Sequence, residues 1–427
     1  MNEELKAGVG LSRKWDAREA GREVALSTLE KLDGENPKFF LLFSTIHYEK
    51  YGGFQELLNG VWDVLPEGTP LIGGTVAGFM NKYGCFVRGA TALAISYPNM
   101  DIATGIGINT KSNPKKAGKS ASKDIKEKLD KSLYKNKFIF TVISGPTLPK
   151  SRMFGTMKII RDKSYSKLLS KLTKVSTKVS QVGLGREREV LDALCENMMD
   201  YSLLGVSSND DNKYLRHYQF FNRDVYENSV VALGIRTDLN IFIKSSYGLL
   251  PTGKKAKITG TENWNYIVKS LDGKSAVKVF FEKTQISEEI INEENIHRVT
   301  ICLPVGCYHS DGTLHPYPVA SFLGDYLLFG HDVVSDEIEF LLASGESLIG
   351  AVDESLNSLP AMPKFMVVSS CAVRLETFGK EIYEVRNRIM QKVGENFLLL
   401  YGLGEHRKDV AKSPHLLQET FNTASFY

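Results

Sequence analysis

Two stretches near the C-terminal end carry the residue types best suited to chemistry: Ser370-Cys371-Ala372-Val373-Arg374 and Gly402-Leu403-Gly404-Glu405. Arg374 offers a planar fork matched to a carboxylate and Glu405 an acceptor for an ammonium or amide, so the pair suits a small zwitterion. The same two side chains could instead neutralise each other as a structural ion pair. Cys371 is the candidate nucleophile, because a helix N-terminus and a neighbouring cation both lower a thiol pKa. No histidine is placed by sequence to serve as its base, and a buried inert thiol is the competing reading. Earlier in the chain, Gly73 and Gly74 occupy the position of Gly402 to Gly404, and Ser44 the position of Cys371. Small residues there let backbone N–H groups approach a ligand, or let strands pack closely.

Familiar motifs fail on spacing. Gly118-Lys119-Ser120 and Gly273-Lys274-Ser275 lack the earlier glycine of a phosphate loop, since Asn113 and Val268 stand there. Gly8-Val9-Gly10 and Gly105-Ile106-Gly107 lack the third glycine of a dinucleotide fingerprint. His309 and His315 with Asp311 match no established ligand spacing, so no metal is expected. Asp210-Asp211-Asn212 follows a strand and reads as a cap.

The elements that must position these residues recur. A hydrophobic strand, an amphipathic helix, a second strand ending in Gly, a polar loop and a closing strand run through Phe39–Ser44, Phe54–Leu65, Pro70–Gly78 and Thr91–Ile95. The order returns at Phe138–Ser144, Val190–Met199, Ser202–Asp210 and Val230–Ile235, and again at Phe365–Cys371, Glu381–Lys392 and Leu399–His406. Reuse of one supersecondary unit places its loops on one side of the sheets. Amphipathic spacing predicts further helices over Trp15–Leu32 and Lys115–Leu133. Gly and Pro turn signals over Tyr247–Ser275, with the hairpin signal Leu271-Asp272-Gly273-Lys274, mark a domain boundary near 250. Beyond it the apolar runs predict strands at Val277–Phe281, His297–Pro304 and Asp325–Phe329 and a helix at Ser347–Ser355. The expected class is α+β (mixed α/β): repeated strand-helix-strand-strand units in mixed sheets with helices on the outer faces, in two domains.

At 427 residues and 42% hydrophobic content the chain can bury two cores. No run reaches 18 uncharged apolar residues and no leader pattern opens the chain, which predicts a cytoplasmic protein without a transmembrane segment. The five cysteines are scattered without a Cys-x-x-Cys pair, which argues against a disulfide framework or a zinc ribbon. The net charge of +3 hides an asymmetry: residues 111–188 hold 21 Lys or Arg against 5 Asp or Glu. Such a segment is either a solvated basic surface or a contact for an anionic partner. Its thin aromatic content does not support stacking on bases, so no specific nucleic acid is expected. Within it, the Ser, Thr and Lys rich stretch at about 150–181 has no counterpart in the other copies and reads as an insertion, helical near Tyr165–Leu172.

The motif order resembles the FIST sensory family: Gly8-Val9-Gly10-Leu11-Ser12, Leu71 through Gly78, Leu271 through Ala276, Ser-Cys-x-x-Arg at Ser370 to Arg374, and Gly404-Glu405. The resemblance covers nearly the whole chain and implies a FIST N-like domain over 8–250 and a FIST C-like domain over 251–427. It implies a small-ligand sensor, proposed for amino-acid-like metabolites, that acts on a separate output protein. The placement of the residues themselves gives the candidate ligand-binding set Arg374, Glu405, Cys371, Gly404, Gly73, Gly74 and Ser44. No cofactor is expected; some members of the family look like haem-based nitric oxide sensors, which makes haem the alternative, and acyl or amide chemistry at Cys371 is a further one. The chain departs from the family pattern at Asn422-Thr423-Ala424, where the family tends to carry Asn-x-Thr.

Overall fold

The computed structural model describes residues 4–147, 159–309 and 312–427. Asp311 and the insertion as far as residue 158 therefore lie outside the described residues.

Three six-stranded sheets share one strand plan. In the first, the order is Lys6–Ser12, Ala90–Ser96, Phe39–Ser44, Leu71–Thr75, Tyr218–Phe221, Asp224–Glu227. The second runs Met100–Ile108, Ser229–Thr237, Asn136–Ile143, Ser202–Ser207, Glu405–Lys408, His415–Leu417. The third runs Ile241–Ser246, Phe421–Phe426, Phe365–Cys371, Phe397–Gly402, Gly78–Asn81, Gly84–Phe86. In each, the two middle strands are parallel and every other pair is antiparallel. The last two strands always belong to a hairpin from a different part of the chain. The second unit's hairpin completes the first sheet, the third unit's completes the second, and the first unit's completes the third.

The middle strands read as unbroken apolar runs because both faces are covered. Along Phe39–Ser44 the side chains alternate between two cores: Phe39, Leu41 and Phe43 enter a central cluster, while Phe40 and Leu42 pack under helices. The central cluster takes Phe138, Phe140 and Val142 from the second unit and Phe365, Val367, Leu398 and Phe426 from the third. The inner faces of all three sheets therefore share one core. Helices cover the outer faces, among them Ala17–Leu29, whose N-cap Asp16 accepts from the Glu19 N–H and whose Ala20, Val24 and Ala25 are buried.

Between Ile241–Ser246 and the helix Gly345–Asn357 the chain builds a lobe around a nine-stranded sheet, joined by strand Ile159–Ile160. Two strand expectations fail in this lobe. Val277–Phe281 lies in helix Ala276–Thr284, and most of His297–Pro304 lies in helix Ile296–Cys302. Short apolar runs do not distinguish the two periods; Ser275 decides the first case by capping the helix on the Lys278 N–H, with Val277 and Phe280 buried one turn apart. The remaining helices fall near their expected places, at Phe54–Trp62, Pro114–Leu129, Lys163–Val179, Glu187–Glu196, Gly345–Asn357 and Ile382–Val393. Strand Lys6–Ser12 is an addition that the sequence pattern does not show.

Candidate functional site

The carboxyl ends of the parallel strands converge, and the loops leaving them are laced together. Asn209 N–H donates to Thr75 O (2.9 Å), Ala77 N–H to Tyr401 O (3.0 Å), and Leu403 N–H to Ser207 O (3.0 Å). Each bond joins a different pair of units. In open α/β sheets this end is where crevices form, because chains diverge there toward their helices.

A cleft of about 360 Å³ opens beside this lacing. Ala77, Cys85 and Val87 come from the first unit, Asp211 and Asn212 from the second, and Ala372, Leu375, Glu376, Ile382 and Tyr383 from the third. A smaller hollow of about 40 Å³ shares Asn212 and Ala372 with it and adds Tyr214, His297, Cys371 and Gln418. The polar groups gather at one end. Asn212 Nδ2 donates to Glu376 Oε1 at 2.6 Å, and His297 Nε2 lies 2.9 Å from Glu376 Oε2. The turn that presents them is held by Asp210, whose carboxylate accepts the backbone N–H groups of Lys213, Tyr214, Leu215 and Arg216. Asp211, Asn212 and Tyr214 all adopt positive φ (66°, 55° and 54°), an unfavourable backbone that the Asp210 cap sustains at the cleft rim.

The sequence-derived residues sit behind this wall. Arg374 is 1% exposed, and its guanidinium donates to the carbonyls of Tyr247, Leu348 and Glu419. Glu405 accepts from the Thr420 N–H (3.2 Å) and hydroxyl (2.8 Å), and no ion pair joins it to Arg374 among the described residues. Burial pushes Glu405 up to about 8, against the opposing pull of Thr420 and Arg374. Burial first, then the carboxylates of Glu405 and Glu419, hold Cys371 well above the usual thiol range, the direction of a buried inert thiol rather than an activated one. Its side chain still lines the smaller hollow. Gly404 passes so close to His331 that a Cβ would lie 2.5 Å from Nε2. Gly73 and Gly74 lie within a strand, where a Cβ would meet Leu42 O at 1.7 Å and Tyr218 O at 2.6 Å; packing accounts for both. Ser44 is buried, and its hydroxyl has no hydrogen-bond partner among the described residues.

Asp211, Asn212 and Glu376 line the cleft, and the sequence does not single them out as site residues. The polar run Asn209 to Asn212 after a strand is visible in the sequence, but Glu376 and the hairpin residues Cys85 and Val87 reach the cleft only through the exchanged pairing. A second missed group is Lys111, buried and donating to Thr147 Oγ1 at 2.9 Å, with desolvation lowering it to about 8.

The FIST N domain family model matches residues 38–274, more than half the chain. This chain belongs to the FIST family. FIST domains are sensory domains that bind small ligands, and the match spans the first two units and the start of the lobe. Comparison with curated proteins gives no match. Among solved structures, the chain is similar to "cyanuic acid hydrolase from A. caulinodans" at 10% identity and TM-score 0.30, over 56% of this chain and 72% of that one. No helix among the described residues is long and apolar enough to cross a membrane.

Proposed function

We propose that this FIST protein senses a small metabolite bearing an amine, bound in the 360 Å³ cleft, and passes the signal to a separate output protein. The observation that carries the reading is the composition of the cleft: acidic and amide groups at one end, apolar groups along the rest, contributed by all three units. Asp211 and Glu376 would accept from the ammonium, while Val87, Leu375, Ile382 and Tyr383 pack against the apolar portion. The volume suits a molecule of amino-acid size. Arg374, Glu405 and Cys371 support the wall in this reading, because the Arg374 fork is spent on carbonyls.

The test is a thermal-shift and calorimetric screen of amino acids and amines on the full chain, repeated with Glu376→Gln. Saturable binding is expected, with stabilisation of about 2.7 kcal/mol at a hundredfold excess over Kd. Glu376→Gln should weaken it at least about tenfold, the loss of a charge-assisted contact. No stabilisation by any amine, or unchanged affinity in the variant, overturns the proposal. Haem would need a histidine facing a cavity wide enough for the macrocycle; among the described residues no histidine lines the larger cleft, and His297 lines the 40 Å³ hollow. A Soret band after haem addition would favour haem instead.

For the output partner, we infer an acidic surface that meets helix Lys163–Val179 within the basic 111–188 segment. Leu168, Leu172, Val175 and Val179 stand exposed at helical spacing beside Lys167 and Lys171. The salt dependence of capture of an acidic partner tests this surface.

A further inference from the structure

The lobe and the third unit's hairpin meet at three imidazoles. His315 lies on strand Leu314–Tyr317 and His309 follows strand Val305–Tyr308, both in the lobe. His415 begins strand His415–Leu417, at the edge of the second six-stranded sheet. Their ligand atoms all lie within 4.8 Å of one another. The His309 and His315 rings stack at 3.4 Å between centroids, and His415 meets His315 edge-on at 4.8 Å. His315 is completely buried, and among the described residues neither of its ring nitrogens has a hydrogen-bond partner. An imidazole buried without partners is unfavourable and calls for an explanation.

We propose that His309, His315 and His415 form a three-nitrogen site for a divalent transition-metal ion of the zinc class. Three imidazoles suit zinc, cobalt, nickel or copper and leave a coordination position open. An all-nitrogen set does not suit calcium or magnesium, which take oxygen ligands. In a tetrahedral site the nitrogens stand about 3.4 Å apart, so the present separation closes with small side-chain rotations. Two cations approach His315, Arg188 and Arg407. Each is already met by a carboxylate: Arg188 Nε lies 2.7 Å from Asp332, and an Arg407 nitrogen 2.9 Å from Asp409. The Tyr317 hydroxyl, 3.3 Å from His309 Nε2, is placed to orient that ring. Because two ligands come from the lobe and one from the hairpin of the main body, the ion would clamp the two together.

The full chain, stripped with a chelator and then titrated with Co²⁺, tests the site without reference to any signalling output. One equivalent is expected to bind, with visible ligand-field bands and a rise in Tm. His415→Gln alters a half-buried residue at a strand end and should fold while losing the bands and the thermal shift; His309→Gln should do the same. His47→Gln, in the first unit and outside the triad, should keep both. Absence of stoichiometric uptake, or uptake unchanged in the His415 and His309 variants, overturns the proposal. The result is independent of the amine screen, since Glu376 is not among the ligands.

Discussion

Arg374 and Glu405 show how a correctly chosen residue can carry a different duty from the one its chemistry suggests. Both are fully buried in the third unit, yet the arginine ties three carbonyls together and the glutamate caps the Thr420 turn. Burial without a contact ion pair leaves a testable trace in Glu405. Its pKa stands near 8 in the folded protein against the 4.5 of an ordinary glutamate, so the folded state keeps a proton that the unfolded chain releases. Its contribution is present in full below pH 4.5 and is lost as pH rises toward 8, at no more than about 1.4 kcal/mol per pH unit. Glu405→Gln cannot release that proton. The stability difference between variant and wild type, followed by denaturant titration, should therefore grow in favour of the variant from pH 5 to pH 8. A difference that stays flat across that range would mean that Glu405 is ionised in the folded protein.

Elements are legible wherever one period dominates. The runs Phe39–Ser44 and Phe365–Cys371 are strands buried on both faces, and Pro114–Leu129 carries its apolar side at Ala117, Ala121, Ile125 and Leu129 as its spacing requires. Val277–Phe281 and the segment after His297 mislead because a short apolar run fits either period. Helix Lys163–Val179 is the element whose pattern points outward. It leans on the lobe through Ser170 to Glu262 and through Lys174 and Lys178 near the Trp264 ring, while Leu172 and Val175 remain 55% and 60% exposed. Replacing both with Ser should change stability by less than about 1 kcal/mol, since surface substitutions usually cost little. If the helix is the docking face, the double variant should lose capture of an acidic partner, as should added salt. Capture that survives both changes would place the contact elsewhere.

The whole molecule is governed by the exchanged hairpins. Each six-stranded sheet takes its last two strands from another unit, so no unit completes its own sheet. A chain ending after Asp238 would leave Gly78–Phe86 without strand Phe397–Gly402, and Ser202–Ser207 without strand Glu405–Lys408. It should show no cooperative thermal transition, although it holds most of the FIST N match. A sharp transition in that fragment would show that the first two units fold without the third. The sequence alone determined the strand and helix types of the long periodic segments, the mixed α/β class and the resemblance to FIST proteins. These depend on patterns within a few residues, where backbone period and burial act locally. The hairpin exchange, the cleft that joins Val87 to Asn212 and Glu376, and the meeting of His415 with His309 and His315 were decided by tertiary structure alone. Each joins residues a hundred or more positions apart, and only the packing of three sheets on one core selects those contacts from the many that the side chains would allow.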